Sequence, residues 1–241
     1  MSDLPAVGSD PHTEGQRLDR PSAVGLASHT SPVSPPVSVW TSTATRLILA
    51  IATGLIIGAL TEWSVPHLPF SLEPLGNSAA PWILVTFAVA LTSRRTAESL
   101  ILAVITLLAL VSGFYVIEAW RGWGVSWHQV ELWSAASVTL GPLVGLAASW
   151  LRRAGRTAGA LGAGMLGGLL VGEAVYGLVK LKFSTPPAYW RVQLGLGIGL
   201  AVGLTLWRWR RHLLGSVPAL AVSLAVCATV GLATLAVYQV P

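Results

Sequence analysis

Only six acidic residues lie beyond residue 44, and two of them are placed for chemistry. Glu173 stands in Val171-Gly172-Glu173-Ala174-Val175-Tyr176-Gly177, within an apolar run, about 9 Å below the end of its helix at 1.5 Å per residue. An ionised group at that depth in a bilayer must be paired, protonated or facing water. Tyr176 follows at i+3 and Lys180 at i+7, on the same helical face. Tyr115 and Glu118 repeat the i+3 pairing in an earlier apolar run. If those two helices lie side by side, the two Tyr–Glu pairs line one outward-facing cavity. The chemistry this predicts is binding or exchange of a cation or proton. The structural alternative makes Glu173 a carboxylate bonded to a neighbouring helix, or sealed against Lys180 or Arg191, and leaves Glu118 at the interface beside Arg121.

Ser126-Trp127-His128-Gln129-Val130-Glu131 brings a nucleophile, a base and an acid within six residues, and His67 lies in the preceding loop of the same side. Triads are defined by geometry rather than adjacency, and no nucleophile elbow accompanies this one. Two histidines and an acid without helical or ribbon spacing do not make a metal-ligand pattern. HExxH, GxSxG, P-loop and paired-acid motifs are absent from the sequence, so no catalytic residue, metal or cofactor is assigned and an enzyme is not expected. The single cysteine, Cys227, lies in an apolar run and leaves no intrachain disulfide to form.

The elements that must position these residues are membrane helices. Of 241 residues 53% are apolar and 10% charged, against roughly 25% charged in a soluble domain. The mean hydropathy of +0.67 is reached despite a polar tail, residues 1–44, rich in Pro, Ser, Thr and Gly and expected to be disordered and cytoplasmic. Uncharged stretches at 47–61, 74–93, 99–117, 132–151, 157–172, 192–207 and 213–241 predict seven transmembrane helices, residues 45–241 forming one all-α membrane domain. The shorter stretches reach full length if flanking charges snorkel or if Glu173 is taken inside. Asn77 or Ser78 is suited to cap the second helix, with Pro81 in its first turn. Gly141-Pro142 predicts a bend in the fourth.

The net charge of +5 does not point to nucleic acid, because the basic residues sit at helix ends: Arg94-Arg95; Arg152, Arg153, Arg156; Arg208, Arg210, Arg211. With Arg46, that side carries nine Lys or Arg and the other carries four (Arg121, Lys180, Lys182, Arg191), which places the N-terminus in the cytoplasm and the C-terminus outside. Seven of the eleven Trp (63, 82, 120, 123, 127, 133, 190) fall at outer ends and 150, 207 and 209 at inner ends, the pattern of an interfacial belt. Arg pairs at 94, 152 and 210 recur every 58 residues, and Glu62, Glu118 and Glu173 at intervals of 56 and 55. Three tandem two-helix repeats plus one C-terminal helix are expected from this. Glycine ladders at 164/168/172 and 195/199/203, with pairs at 54/58 and 141/145, predict close helix packing.

Gly58-Ala59-Leu60-Thr61, Asn77-Ser78-Ala79-Ala80-Pro81-Trp82, Gly141-Pro142-Leu143-Val144-Gly145 before Leu151-Arg152, and Gly172-Glu173-Ala174 occur in an order that resembles an uncharacterised family of small multi-pass bacterial membrane proteins, a domain of unknown function. The resemblance covers residues 45–240 and implies a multi-pass protein of the bacterial plasma membrane, with no activity to transfer. In size and helix count the chain is more loosely similar to the substrate-binding subunits of vitamin importers, although its first helix lacks their small-residue docking motif. The function expected is binding or transport of a small polar or cationic solute through an outward-facing pocket formed by Glu173, Tyr176, Glu118 and Tyr115. The alternative is a non-transporting membrane scaffold that docks another protein through its glycine-rich faces.

Overall fold

The computed structural model describes residues 42–76, 78–153, 155–209 and 216–237. The expected tail up to residue 41 and the third arginine pair, Arg210-Arg211, lie outside them, as does Asn77. The described residues form helices α1 (Thr43–Ser64), α2 (Ala79–Ala90), α3 (Thr96–Trp120), α4 (Trp127–Arg152), α5 (Arg156–Lys180), α6 (Pro187–Trp209) and α7 (Val217–Val237), with 3-10 turns at Val65–His67 and Phe70–Gly76 and no strand. Six of the helices are long and apolar enough to cross a membrane. The chain is a multi-pass membrane protein of all-helical fold.

The exception is α2. Its 12 residues extend about 18 Å, short of a hydrocarbon core of about 30 Å. Hydropathy predicts a span over 74–93, but hydrogen-bonding chemistry cuts it at both ends. Pro74 lies in the preceding 3-10 turn, Ser78 takes the extended N-cap conformation, and Pro81, having no N–H, fits only the first turn. At the other end the Thr92 hydroxyl bonds the Val89 carbonyl and Ser93 turns to the Glu98 carboxylate, so the helix stops before the arginines.

α5 is the most deeply buried span, packed along α6 and α7 on one side and α4 on the other. α3 lies between α1 and α4, and α2 fills the angle between α3 and α4 while touching α5. Ile83, Phe87, Leu151, Leu166, Leu169 and Leu170 are among the larger members of the core where α2, α4 and α5 meet. α3 and α5 are therefore not neighbours, and the expected side-by-side placement of the two Tyr–Glu helices is corrected: α4 stands between them.

Close packing follows the glycines. A Cβ added at Gly164, Gly168 or Gly172 would come within 2.3, 2.7 and 2.5 Å of the α7 carbonyl oxygens of Ser223, Cys227 and Gly231. Gly54 and Gly58 bring α1 equally close to the α3 backbone, and Gly141 and Gly145 do so for α4, which runs through Pro142 as one continuous helix. The ladder on α6 behaves differently. Gly195, Gly199 and Gly203 have nothing within 4 Å, and α6 meets α5 through Gly197 and Ala201 instead.

One end of the bundle carries the arginines. Arg46 Nη1 lies 3.0 Å from both Glu98 oxygens, tying α1 to α3, and Ser93 donates to the same carboxylate at 2.6 Å. Arg152 donates to the Leu91 carbonyl at the end of α2, and Arg208 to the Arg153 carbonyl at the end of α4, where cations satisfy exposed carbonyls and complement the helix dipole. The opposite end carries exposed Trp63, Trp120, Trp123 and Trp127. Trp82, Trp190 and Trp209, counted in the expected belt, are buried: Trp190 packs its ring on Gly177 and donates its indole N–H to Thr185 at 2.8 Å.

Candidate functional site

Glu173 is 4% exposed, and its partners are two backbone groups of α2 and one side chain of α6. The Ala79 N–H donates to one carboxylate oxygen at 2.7 Å; the Ala80 N–H and the Gln193 side-chain amide donate to the other, each at 2.9 Å. Ser78, the N-cap, accepts a second bond from the Ala80 N–H at 3.3 Å and donates to the Gln193 carbonyl at 3.2 Å, while Gln193 also donates to the Leu170 carbonyl. A helix start leaves its first N–H groups without intrahelical partners, and in an apolar interior water cannot serve them. α2 starts inside the bundle. Glu173 takes the two free N–H groups, Pro81 has none, and the carboxylate sits at the positive end of the helix dipole. Neither Lys180 nor Arg191 takes part, and both are exposed.

Two cavities open at the Trp-bearing end, one on each side of Trp133 and Gln129 of α4. The first, about 230 Å³, is lined by Ser78 and Trp82 from α2 and its cap, Phe114, Tyr115 and Glu118 from α3, and Ser126 before α4. The second, about 290 Å³, is bordered by Glu173 and Tyr176 of α5, His128, Leu132, Leu181 and Trp190. The expected single cavity is thus two, each holding one Tyr–Glu pair. A third space of about 500 Å³, between α2 and α6, is almost wholly apolar and presents no charge.

The two pairs are also unlike in their bonding. Glu173 accepts three hydrogen bonds, whereas buried Glu118 Oε2 has no hydrogen-bond partner among the described residues. Glu118 lies within electrostatic range of Glu62 on α1, which is 3% exposed with its Oε1 3.8 Å from Arg121 Nη1. That guanidinium is committed to α1: it donates to the Trp63 carbonyl at 3.0 Å and lies over the Trp63 and Trp123 rings at 4.9 and 5.1 Å. Glu62 thus has Arg121 beside it, although its Oε1 makes no hydrogen bond, whereas Glu118, which lines the first cavity, has no ion pair among the described residues. The acids of the expected repeat do not play equivalent parts, since Glu62 and Glu118 lie together whereas Glu173 caps α2.

The cavity walls are aromatic. Trp82 packs against Phe114 at 5.8 Å and Trp133 at 5.9 Å between ring centroids, and Phe114 against Tyr115 at 5.3 Å, all with inclined planes. Trp82 is held from behind by its indole N–H, 3.4 Å from the Thr61 hydroxyl. Of the other motif residues, Ser126 reaches the first cavity and His128 the second, while His67 Nδ1 lies 3.1 Å from the Trp63 carbonyl. The segment expected as a loop is the N-cap and first turns of α4, its Ser126 and His128 line different cavities, and Glu131 lines neither. Among the described residues no group of three or more His, Cys, Asp or Glu is placed to hold a metal.

Sequence reasoning missed Gln193, Gln129, Trp82 and Trp133 as parts of these sites. Gln193 carried a readable signal, as an uncharged amide within an apolar span must find a partner there. The tryptophans did not, because a ring facing a cavity and a ring facing lipid headgroups look alike in sequence.

No curated protein and no solved structure matches this chain. Residues 37–239 match DUF6518, a family of unknown function, and the chain belongs to that family.

Proposed function

We propose that this protein binds a small cationic solute from outside the cell, with its arginine-bearing end in the cytoplasm as the basic loops predict. The carrying observation is the Glu118 carboxylate, which lines a 230 Å³ cavity and whose buried oxygen lacks a hydrogen-bond partner among the described residues. Ligand pockets are mostly apolar and aromatic with few polar groups, and run from about 300 Å³ upward for drug-sized molecules, so the solute here is smaller. The site of exchange moves from Glu173, where the spacing first pointed, to Glu118. Glu173, at the edge of the second cavity, is 4% exposed and already accepts three hydrogen bonds, while Tyr115 and Glu118 line the first. Equilibrium binding of radiolabelled small cations to the protein in lipid nanodiscs, wild type beside Glu118→Gln, tests this. Saturable binding that the substitution weakens at least tenfold is the expected result; equal binding by both proteins, or none by either, would refute it.

A second reading keeps the chain as a scaffold that docks a membrane partner. The open glycine face of α6 favours it, since the space beside each glycine of α1, α4 and α5 is filled by another helix of the same chain. Gly199→Leu would block approach along that face. A cross-linked adduct in native membranes that this substitution abolishes supports docking, and an adduct pattern it leaves unchanged argues against it.

A further inference from the structure

Taking the cavity at Glu118 as the binding site, we infer that its solute is a methylated ammonium compound, a cation with alkyl groups in place of N–H donors, held between the Trp82, Phe114, Tyr115 and Trp133 rings with its charge toward Glu118. This rests on the proposed function and narrows it.

Three classes of cation compete for such a site, and the lining separates them. A hard metal ion replaces its water shell with six or more oxygens, mostly carboxylates and carbonyls. This cavity offers one carboxylate, one amide and the hydroxyls of Tyr115, Ser126 and Ser78, the last already bonded to Ala80 and Gln193. A primary ammonium carries three N–H donors, and each needs an acceptor once water is excluded. Glu118 can take one or two of them and the Tyr115 hydroxyl one, whereas the ring faces that make up most of the wall take none. A methylated ammonium has few or no donors to satisfy. It spreads its charge over methyl groups, which lie against the faces of aromatic rings through attraction to the ring quadrupole. Four of the cavity's nine lining residues are aromatic, with planes inclined to one another at 58 to 70°, so the walls turn around a space rather than stack flat.

The same end of the bundle already uses this chemistry within the chain. The Arg121 guanidinium lies over two tryptophan rings, with Glu62 3.8 Å away as the carboxylate. In the neighbouring cavity the rings and the carboxylate are both present, and no Lys or Arg is among its lining residues. Ser126 and Gln129 on one side can bond a hydroxyl or carbonyl carried by the solute's tail.

The test uses the full chain in nanodiscs and compares four probes: choline, its uncharged isostere with a quaternary carbon in place of the nitrogen, ethanolamine, and potassium ion. Choline should bind at least about tenfold more tightly than both the isostere and ethanolamine, because only it combines charge with a methylated surface. Trp133→Leu should remove most of that preference, and Glu118→Gln should bring choline close to its isostere. The probe series on the wild-type protein stands if either variant fails to fold. Binding of ethanolamine or potassium as tight as that of choline would overturn this inference and leave the cation site in place. Equal binding of choline and its isostere would overturn it too, by removing the role of charge, and no binding by any of the four would overturn both.

Discussion

At the scale of single residues, the two glutamates that the sequence marks out have opposite environments. Glu173 serves a buried helix start. Replacing it with alanine leaves the Ala79 N–H without an acceptor in a dry interior, at about 1–3 kcal/mol, and leaves the Ala80 N–H and the Gln193 amide with only their longer bonds to Ser78 and the Leu170 carbonyl. Thermal unfolding of the purified protein should show Glu173→Ala as strongly destabilised. Glu173→Gln should be hurt less, because its one carbonyl oxygen still accepts while its NH2 faces an N–H donor. A Glu173→Ala protein as stable as wild type would remove the capping role. That Glu173 must be paired, protonated or wet was legible from depth alone. Its partner was not, because a backbone N–H becomes a partner only when a helix begins inside the bundle, and hydropathy reads 74–93 as one unbroken span. Ser78 and Pro81 carried the correct signal for that start. Gln193 carried another that went unread.

Among the elements, equal glycine spacing led to unequal packing. The ladders on α5 and α6 share the same four-residue period, yet a Cβ added to the first would meet α7 carbonyls at under 3 Å, and one added to the second would meet nothing within 4 Å. Spacing specifies a stripe on a helix but not the direction in which tertiary packing turns it. Gly168→Leu should therefore drive α5 from α7 and lower the unfolding temperature markedly, since the added carbon meets the Cys227 carbonyl at 2.7 Å. Gly199→Leu should leave the unfolding temperature of the isolated chain within a degree or two, as a surface substitution does. Comparable losses in both would mean that the α6 ladder is covered. α2 gives the same lesson for length: composition supplied its apolar character, and proline and serine chemistry set its 12 residues.

The described helices form a bundle with Arg46, Arg152, Arg153 and Arg208 at one end and, at the other, Trp63, Trp120, Trp123 and Trp127 beside the aromatic cavity that Glu118 lines. Membrane class, the number of long spans within one and the family resemblance were legible, because they depend on apolar run length and motif order. The two-cavity arrangement was not, because it depends on α4 standing between α3 and α5. Orientation follows from the distribution of basic residues and has a direct check. With Cys227 replaced by alanine, a cysteine at Thr96 should resist a membrane-impermeant thiol reagent added to intact cells, and one at Gly124 should react. The reverse pattern would place the Glu118 cavity in the cytoplasm.

The central claim is a division of labour, with Glu118 holding a solute and Glu173 holding the fold. Thermal unfolding in nanodiscs, with and without choline, on wild type, Glu118→Gln and Glu173→Gln, tests it most directly, since a ligand stabilises only the state that binds it. The account predicts that choline raises the unfolding temperature of wild type, does not raise that of Glu118→Gln, and still raises that of Glu173→Gln from a lower starting value. A choline shift that survives in Glu118→Gln and vanishes in Glu173→Gln, with the stability of Glu173→Gln otherwise unchanged, would contradict it.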